Sequence, residues 1–343
     1  MRAATFARSA VWAASRSSRT LQASRPLRLF SIKAEAASDS KQKALDPNRL
    51  SITQTSNPKP LSQPKTLVFG REFTDHMLAI EWTQEDGWLD PKITPYQNLS
   101  LDPATCVFHY AFECFEGMKA YKDKDGKVRL FRPDMNMARL NKSASRIALP
   151  TFEPTSFIEL ISKLVNLDSR FIPNQRGYSL YLRPTMIGTQ KTLGVGPPGS
   201  ALLYVIASPV GPYYPTGFKA VSLEATDYAV RAWPGGVGDK KLGANYAPCI
   251  VPQLQAASRG YQQNLWLFGE EEYVTEDGRL VEAFGAGTAA IVSPIRTIAW
   301  KGKHVDCGLK ETEESGETAL RVKEWIEAIQ YGEEEHEWSV KIA

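Results

Sequence analysis

Histidine and cysteine are scarce, with four of each in 343 residues. Cys106, Cys114, Cys249 and Cys307 form no Cys-x-x-Cys pair, and His76, His109, His304 and His336 are equally scattered. That excludes a metal site legible from ligand spacing, so no metal is expected. Apolar runs are short; none approaches the roughly 20 residues that a membrane-spanning helix needs, and no membrane association is expected. The glycine-rich stretch 235–243 lacks the Gly-Lys-Ser/Thr of a phosphate-binding P-loop. Gly194-Val195-Gly196-Pro197-Pro198-Gly199 fits the dinucleotide fingerprint on paper. Two of its residues are prolines, and a strand-like run from Ala201 to Ile206 follows where that motif needs a helix, so it reads as a loop.

Acid is the other absence. Residues 1–34 hold Arg2, Arg8, Arg16, Arg19, Arg25, Arg28 and Lys33, many Ala and Ser, and no Asp or Glu. Arginine-rich, acid-poor and without a secretory apolar core, they have the make-up of a mitochondrial transit peptide, which implies the mitochondrial matrix. The chain as a whole carries 41 basic and 38 acidic residues, net +3. Without the first 34 residues the count is 34 against 38, so the basic balance belongs to that segment and nucleic acid is not indicated.

The rest reads as an α+β chain of two domains. Residues 35–64, polar and rich in Pro, Ser and Lys, are expected to be a flexible leader. A small domain is expected over 65–208, an interdomain loop over 209–217 and a large domain over 218–343. In the first, Met118–Tyr121 and Lys127–Phe131 flank a Gly-containing turn and read as a hairpin. Apolar residues at spacings of three and four predict helices from Asp134, as cap, to about Leu149 and from about Thr155 to Asp168. Strands are expected at Ser179–Ile187 and Ala201–Ala207. Prolines and glycines in Pro209–Gly217 stop regular structure. Beyond it a strand near Ala220, a helix over Pro248–Arg259, a strand over Asn264–Phe268 and a helix over Glu317–Gln330 are expected.

The richest chemistry lies in Gly235-Gly236-Val237-Gly238-Asp239-Lys240-Lys241-Leu242-Gly243-Ala244-Asn245-Tyr246. Glycines allow close backbone approach to a planar ligand, and a lysine there, with a tyrosine five residues on, suits Schiff-base chemistry. Taken alone, the stretch reads better as a solvated loop.

Other stretches give it context: Leu67-Val68-Phe69-Gly70, Phe115-Glu116-Gly117-Met118-Lys119-Ala120, Ser179-Leu180-Tyr181-Leu182-Arg183-Pro184, Arg231-Ala232-Trp233, and Phe284-Gly285-Ala286-Gly287-Thr288-Ala289. With the lysine loop between them, these resemble the branched-chain amino acid aminotransferases of the mitochondrial eukaryotic kind, over residues 65 to 338 and in family order. The resemblance implies a two-domain fold-type IV pyridoxal-phosphate enzyme, with the architecture of D-amino acid aminotransferase. It implies pyridoxal 5′-phosphate as cofactor and Lys241, directly before Leu-Gly-x-Asn-Tyr, as the catalytic lysine that binds it; Lys240 is expected to be solvated. It assigns Tyr246 to the ring oxygen, Glu276 to the pyridine nitrogen, and Arg139 and Thr288 to the phosphate. Ala289 would meet the substrate carboxylate, and Phe69, Tyr110, Phe115, Tyr181, Arg183 and Val195 would line the substrate pocket. Arg183 would take the side-chain carboxylate of glutamate. Tyr110 and Val195 come from the second subunit in such enzymes, so a homodimer is implied. Leucine, isoleucine and valine would pass their amino group to 2-oxoglutarate by a ping-pong mechanism, so the partners are amino acids and 2-oxo acids.

One segment departs from that pattern. Family members carry a long stretch between Val274-Thr275-Glu276 and the Gly285-Ala286-Gly287-Thr288 turn, including a helix N-terminus that holds the cofactor phosphate. Here only Asp277 to Phe284 intervene. Read without the family, Tyr273 to Val281 would pass for a hairpin with an Asp-Gly turn. The resemblance points instead to a junction between Glu276 and Asp277, leaving the second domain incomplete. The alternative to an active enzyme is a catalytically inactive truncated isoform, acting at most as a dimer partner. Another fold-type IV enzyme, such as a D-amino acid aminotransferase or aminodeoxychorismate lyase, would lack the Phe-Glu-Gly-Met-Lys and Tyr-Leu-Arg-Pro motifs.

Overall fold

Two β-sheets, each with its own apolar core, organise the described residues. The computed structural model describes residues 42–213, 217–269 and 280–342. The expected transit peptide, and Glu276 with the junction beside it, lie outside the described residues.

The first sheet has ten strands. Its backbone is β1 (Ser51–Ile52), β2 (His76–Thr83), β3 (Gly87–Trp88), β4 (Lys92–Pro95), then helix α1 (Cys106–Tyr110), β5 (Glu113–Phe115), β6 (Met118–Lys122) and β7 (Val128–Phe131). Helices α2 (Pro133–Arg146) and α3 (Pro154–Leu167) follow, then β8 (Ser179–Gly188) and β9 (Ser200–Val210). The order β1-β4-β2-β9-β8-β6-β7 continues to β15 (Ser339–Lys341), while β3 pairs with β2 and β5 with β8. The helix α3 buries Phe157, Leu160, Ile161, Leu164 and Val165 completely, the stripe that its 3–4 spacing requires. At about 1.5–3 kcal/mol each, such side chains dominate the stability of this layer.

The second sheet contains β10 (Val221–Thr226), β11 (Gln263–Trp266), β12 (Ala283–Gly287), β13 (Ile291–Trp300) and β14 (Lys303–Asp306). Helices α4 (Ile250–Ser258) and α5 (Glu317–Gln330) accompany it. Strand order is β11-β10-β13-β12, with β14 on β13. Its core is much smaller, built on Val221, Leu223, Ala225, Ile295, Ile298 and Cys307. Large apolar side chains stand open to solvent here: Ile250, Val251 and Leu254 on α4 are 51%, 63% and 64% exposed, and Phe268 is 55% exposed. An apolar face of this size on one helix is the mark of a surface without its cover.

Several expectations need correction. The described part of the leader, 42–64, is anchored rather than flexible. Its strand β1 pairs with β4, Leu45 is buried, Thr55 N–H donates to His76 Nε2 at 3.0 Å, and Lys59 N–H donates to Asp75 Oδ1 at 3.0 Å. Backbone groups make most of these contacts, and composition does not register them. The loop expected from 209 begins later, because β9 continues through Pro209 and Val210 against Leu180 and Ser179. The C-terminal segment is not confined to the second domain: β15 pairs with β7 of the first sheet. Asp134 is not the cap of α2. Arg132 is, at φ 49°, with Pro133 opening the helix and Asp134 in its first turn.

Candidate functional site

The lysine loop is stitched to the first sheet by its backbone. Phe115 N–H donates to the Lys241 carbonyl at 3.0 Å, Cys114 and Leu242 form an isolated bridge, and Lys241 N–H donates to Ser143 Oγ on α2 at 2.9 Å. Gly243 is required here for space, since a Cβ would meet a Glu113 carboxylate oxygen at 2.2 Å. These contacts hold Lys241 beside β5, so motifs more than 120 positions apart in sequence meet.

From Lys241 a continuous set of contacts runs through the aromatic residues. Its Nζ lies 3.0 Å from Tyr246 Oη and 4.6 Å from the centroid of the Phe115 ring. The Phe115 and Tyr246 rings lie 4.9 Å apart. Arg183 covers Phe115 with its Cζ 4.6 Å from the centroid, and its Nη2 donates to Tyr181 Oη at 2.9 Å. Tyr181 meets Phe69 edge-on at 4.8 Å. Gly117 makes room for that tyrosine: a Cβ there would lie 2.1 Å from the Tyr181 hydroxyl. Arg183 Nε is buried and, among the described residues, has no hydrogen-bond partner, an unspent donor beside the aromatic cluster. Burial pushes the Glu113 carboxyl up, and the Arg183 charge opposes that.

A cleft of about 640 Å³ adjoins this cluster, lined by Arg139, Asn136, Lys119, Gly287 and Thr288 among others. Arg139 and Thr288, 149 positions apart in the sequence, thus share one cavity. Lys119 donates from Nζ to the Ala289 carbonyl at 2.9 Å, tying β6 to the turn before β13. Desolvation brings the Lys119 ammonium down to about 8.

Other expected residues stand apart. Tyr110 hydrogen-bonds the Leu193 carbonyl and Val195 is 77% exposed; both belong to the rim formed by α1 and the 189–199 loop rather than to the aromatic cluster. Lys240, expected to be solvated, is instead gripped by Asp239 at 2.6 Å with its side chain only 14% exposed. Lys240 and Lys142 hold the Asp239 carboxyl down at about 2.

Sequence reasoning passed over Glu116, Asn136, Lys119 and Ser143. Glu116 was legible in principle, since a carboxylate amid Phe, Gly and Met in a strand-forming run has no reason to be there without a partner. The donor set fits a phosphorylated aromatic aldehyde. A lysine–tyrosine pair lies against aromatic faces, a guanidinium and a threonine share the adjoining cleft, and a second guanidinium, that of Arg183, covers the Phe115 ring. Among the described residues no group of His, Cys, Asp and Glu could hold a metal ion, and no helix is long and apolar enough to cross a membrane.

The family model for amino-transferase class IV matches residues 113–279. The cytosolic branched-chain-amino-acid aminotransferase of Saccharomyces cerevisiae is 52% identical over 367 residues, covering 86% of this chain and 97% of that protein. The mitochondrial one of the same organism is 50% identical over 368 residues, covering 87% and 94%. A solved structure of the branched-chain amino acid aminotransferase of Escherichia coli covers 77% of this chain and 99% of its own, with a TM-score of 0.61 at 19% identity, which establishes the fold. In the 367-residue alignment, 86% of 343 residues supplies about 295 positions, so about 70 positions of the yeast protein face no residue here.

Proposed function

The chain belongs to the branched-chain-amino-acid aminotransferase family, and on that premise we propose that it transfers the amino group of leucine, isoleucine or valine to 2-oxoglutarate. Its cofactor is pyridoxal 5′-phosphate. The observation that carries this reading is the contact of Lys241 Nζ with Tyr246 Oη at 3.0 Å against the Phe115 ring, in one cluster with Arg183.

The bound cofactor supplies an electron sink for charge that develops at the amino acid's α-carbon. Lys241 would hold the cofactor through its Nζ, and the same Nζ would take up the substrate α-proton as base and release it as acid. Tyr246 would meet the cofactor ring oxygen, and its contact with Lys241 keeps that lysine oriented. Arg139 and Thr288 would hold the phosphate, and Glu276 would pair with the ring nitrogen. The Ala289 amide meets the substrate α-carboxylate. Phe69, Phe115 and Tyr181 offer an apolar wall to branched side chains, while the unspent Arg183 donor receives the second carboxylate of glutamate. Tyr110 and Val195, on their exposed rim, complete the pocket of a second copy in a homodimer. The two substrates use one site in turn, which is ping-pong kinetics.

The stretch that the yeast relative has and this chain lacks falls, in this reading, between Glu276 and Asp277. The open apolar face of α4 supports that position, because a further layer of the second domain would cover it. The acid-free N-terminal segment supports import into the mitochondrial matrix. Initial velocities of glutamate formation from L-leucine and 2-oxoglutarate test the function. Parallel double-reciprocal lines are expected; intersecting lines, or no glutamate from a folded, cofactor-loaded chain, would contradict it.

A further inference from the structure

The Glu116 side chain is completely buried in the link between β5 and β6, and its carboxylate accepts from Arg139, Asn136 and the Gly117 amide. Arg139 Nε reaches Oε1 at 2.5 Å and Arg139 Nη2 reaches Oε2 at 2.8 Å. Asn136 Nδ2 donates to Oε2 at 2.9 Å and the Gly117 amide does so at 3.1 Å. A carboxylate without solvent is costly unless paired and hydrogen-bonded, and this one is satisfied on both oxygens. Asn136 and Arg139 lie three residues apart on α2, so one flank of the helix serves the same acid. The contact also strengthens the hold of Arg139 on its proton, the Glu116 hydrogen bond being the largest cause.

We propose that Glu116 is a positioning residue for the phosphate site: with Asn136 it clamps the inner edge of the Arg139 guanidinium and aims the outer edge into the cleft shared with Thr288. The inference rests on the reading of Arg139 as the cofactor-phosphate residue. A planar fork held by two parallel bonds has lost its rotational freedom before the ligand arrives, so Nη1 and the second proton of Nη2 are presented ready-made. The pair is electrically neutral, so its attraction for a phosphate monoester comes from fixed donors rather than from net charge. That gives the idea a sharp edge. Glu116→Gln adds a positive charge to the site, yet it is expected to weaken phosphate binding. Gln presents an NH2 to a ring of donors, so either Arg139 Nε at the Oε1 side, or Arg139 Nη2, Asn136 and the Gly117 amide at the Oε2 side, lose their acceptor and the fork is released.

The test compares pyridoxal phosphate, unphosphorylated pyridoxal and inorganic phosphate as ligands of the full chain, with folding checked by circular dichroism. Glu116→Gln is expected to lose about tenfold or more in affinity for pyridoxal phosphate, the scale of one charge-assisted bond. Inorganic phosphate binding to the cofactor-free chain falls in parallel, and pyridoxal changes less than twofold. Asn136→Ala, which leaves the buried acid in place and serves if the first variant fails to fold, moves in the same direction by about threefold. Equal losses for pyridoxal and its phosphate, or no loss in either variant, overturn the proposal. Arg139→Met separates the two levels. If it leaves phosphate affinity intact, the assignment of Arg139 to phosphate is wrong; if it abolishes that affinity while the Glu116 and Asn136 variants retain theirs, only the positioning role is wrong.

Discussion

Lys241 Nζ and Tyr246 Oη lie 3.0 Å apart, and both rest against the ring of Phe115. Five residues separate them in the chain, bent back by the 3-10 turn over Gly243–Asn245. Removing the hydroxyl with Tyr246→Phe keeps the ring packing and deletes the donor. Affinity for pyridoxal phosphate, measured by equilibrium titration, is expected to fall about tenfold, since hydrogen bonds involving charged groups are worth about 1.5–3 kcal/mol. Unchanged affinity would remove Tyr246 from the cofactor site.

Arg183 bears on substrate choice. Its Nε is buried without a partner among the described residues, while its Nη2 donates to Tyr181. Arg183→Met is expected to raise the KM for glutamate by about 10- to 100-fold and to leave that for leucine within about threefold, because only the dicarboxylate uses the charge. Parallel loss of both substrates would show that Arg183 supports the pocket rather than selecting within it.

Lys119 gives a pH signature. Its ammonium titrates at about 8 in the folded chain, against about 10.4 for an exposed lysine. Between these values the unfolded chain binds the extra proton, so stability rises with pH across that window. The cost of burying the charge is fully present below pH 8 and is relieved as pH climbs through 8 toward 10.4. Lys119→Met is expected to abolish that rise, a difference of roughly 2–4 kcal/mol between the two ends by denaturant titration. Identical pH dependence in both chains would contradict it.

The apolar face of α4 tests the proposal that the second domain is incomplete. Leu254 is 64% exposed, so Leu254→Lys is expected to change stability by less than about 0.5 kcal/mol and to reduce binding of an apolar dye. Were that face covered in solution, the same change would cost about 2–5 kcal/mol in a thermal or denaturant melt, as for other buried leucines.

Much of the fold was legible because its signals are local. The stripe Phe157, Leu160, Ile161, Leu164, Val165 locates α3, and Glu317–Gln330 coincides with α5 residue for residue. The anchoring of 42–64 was not legible, since Thr55 and Lys59 hold on through backbone amides to His76 and Asp75. Nor was β15, three residues whose pairing with β7 spans more than 200 positions. In the site, motifs named Lys241, Tyr246, Phe115, Tyr181, Arg183 and Phe69, which the fold gathers into one contact chain. Glu116 and Ser143 escaped notice because their partners, Arg139 and the Lys241 amide, come from distant segments.

The central claim is that Lys241 holds pyridoxal phosphate in a cradle that functions with the shortened second domain. Titration of the purified chain with pyridoxal phosphate, followed by its visible absorption band and then by addition of L-leucine, tests it most directly. The expected result is a band that leucine bleaches and that Lys241→Ala lacks. A folded chain that develops no such band, or a Lys241→Ala chain that keeps it, would contradict the account.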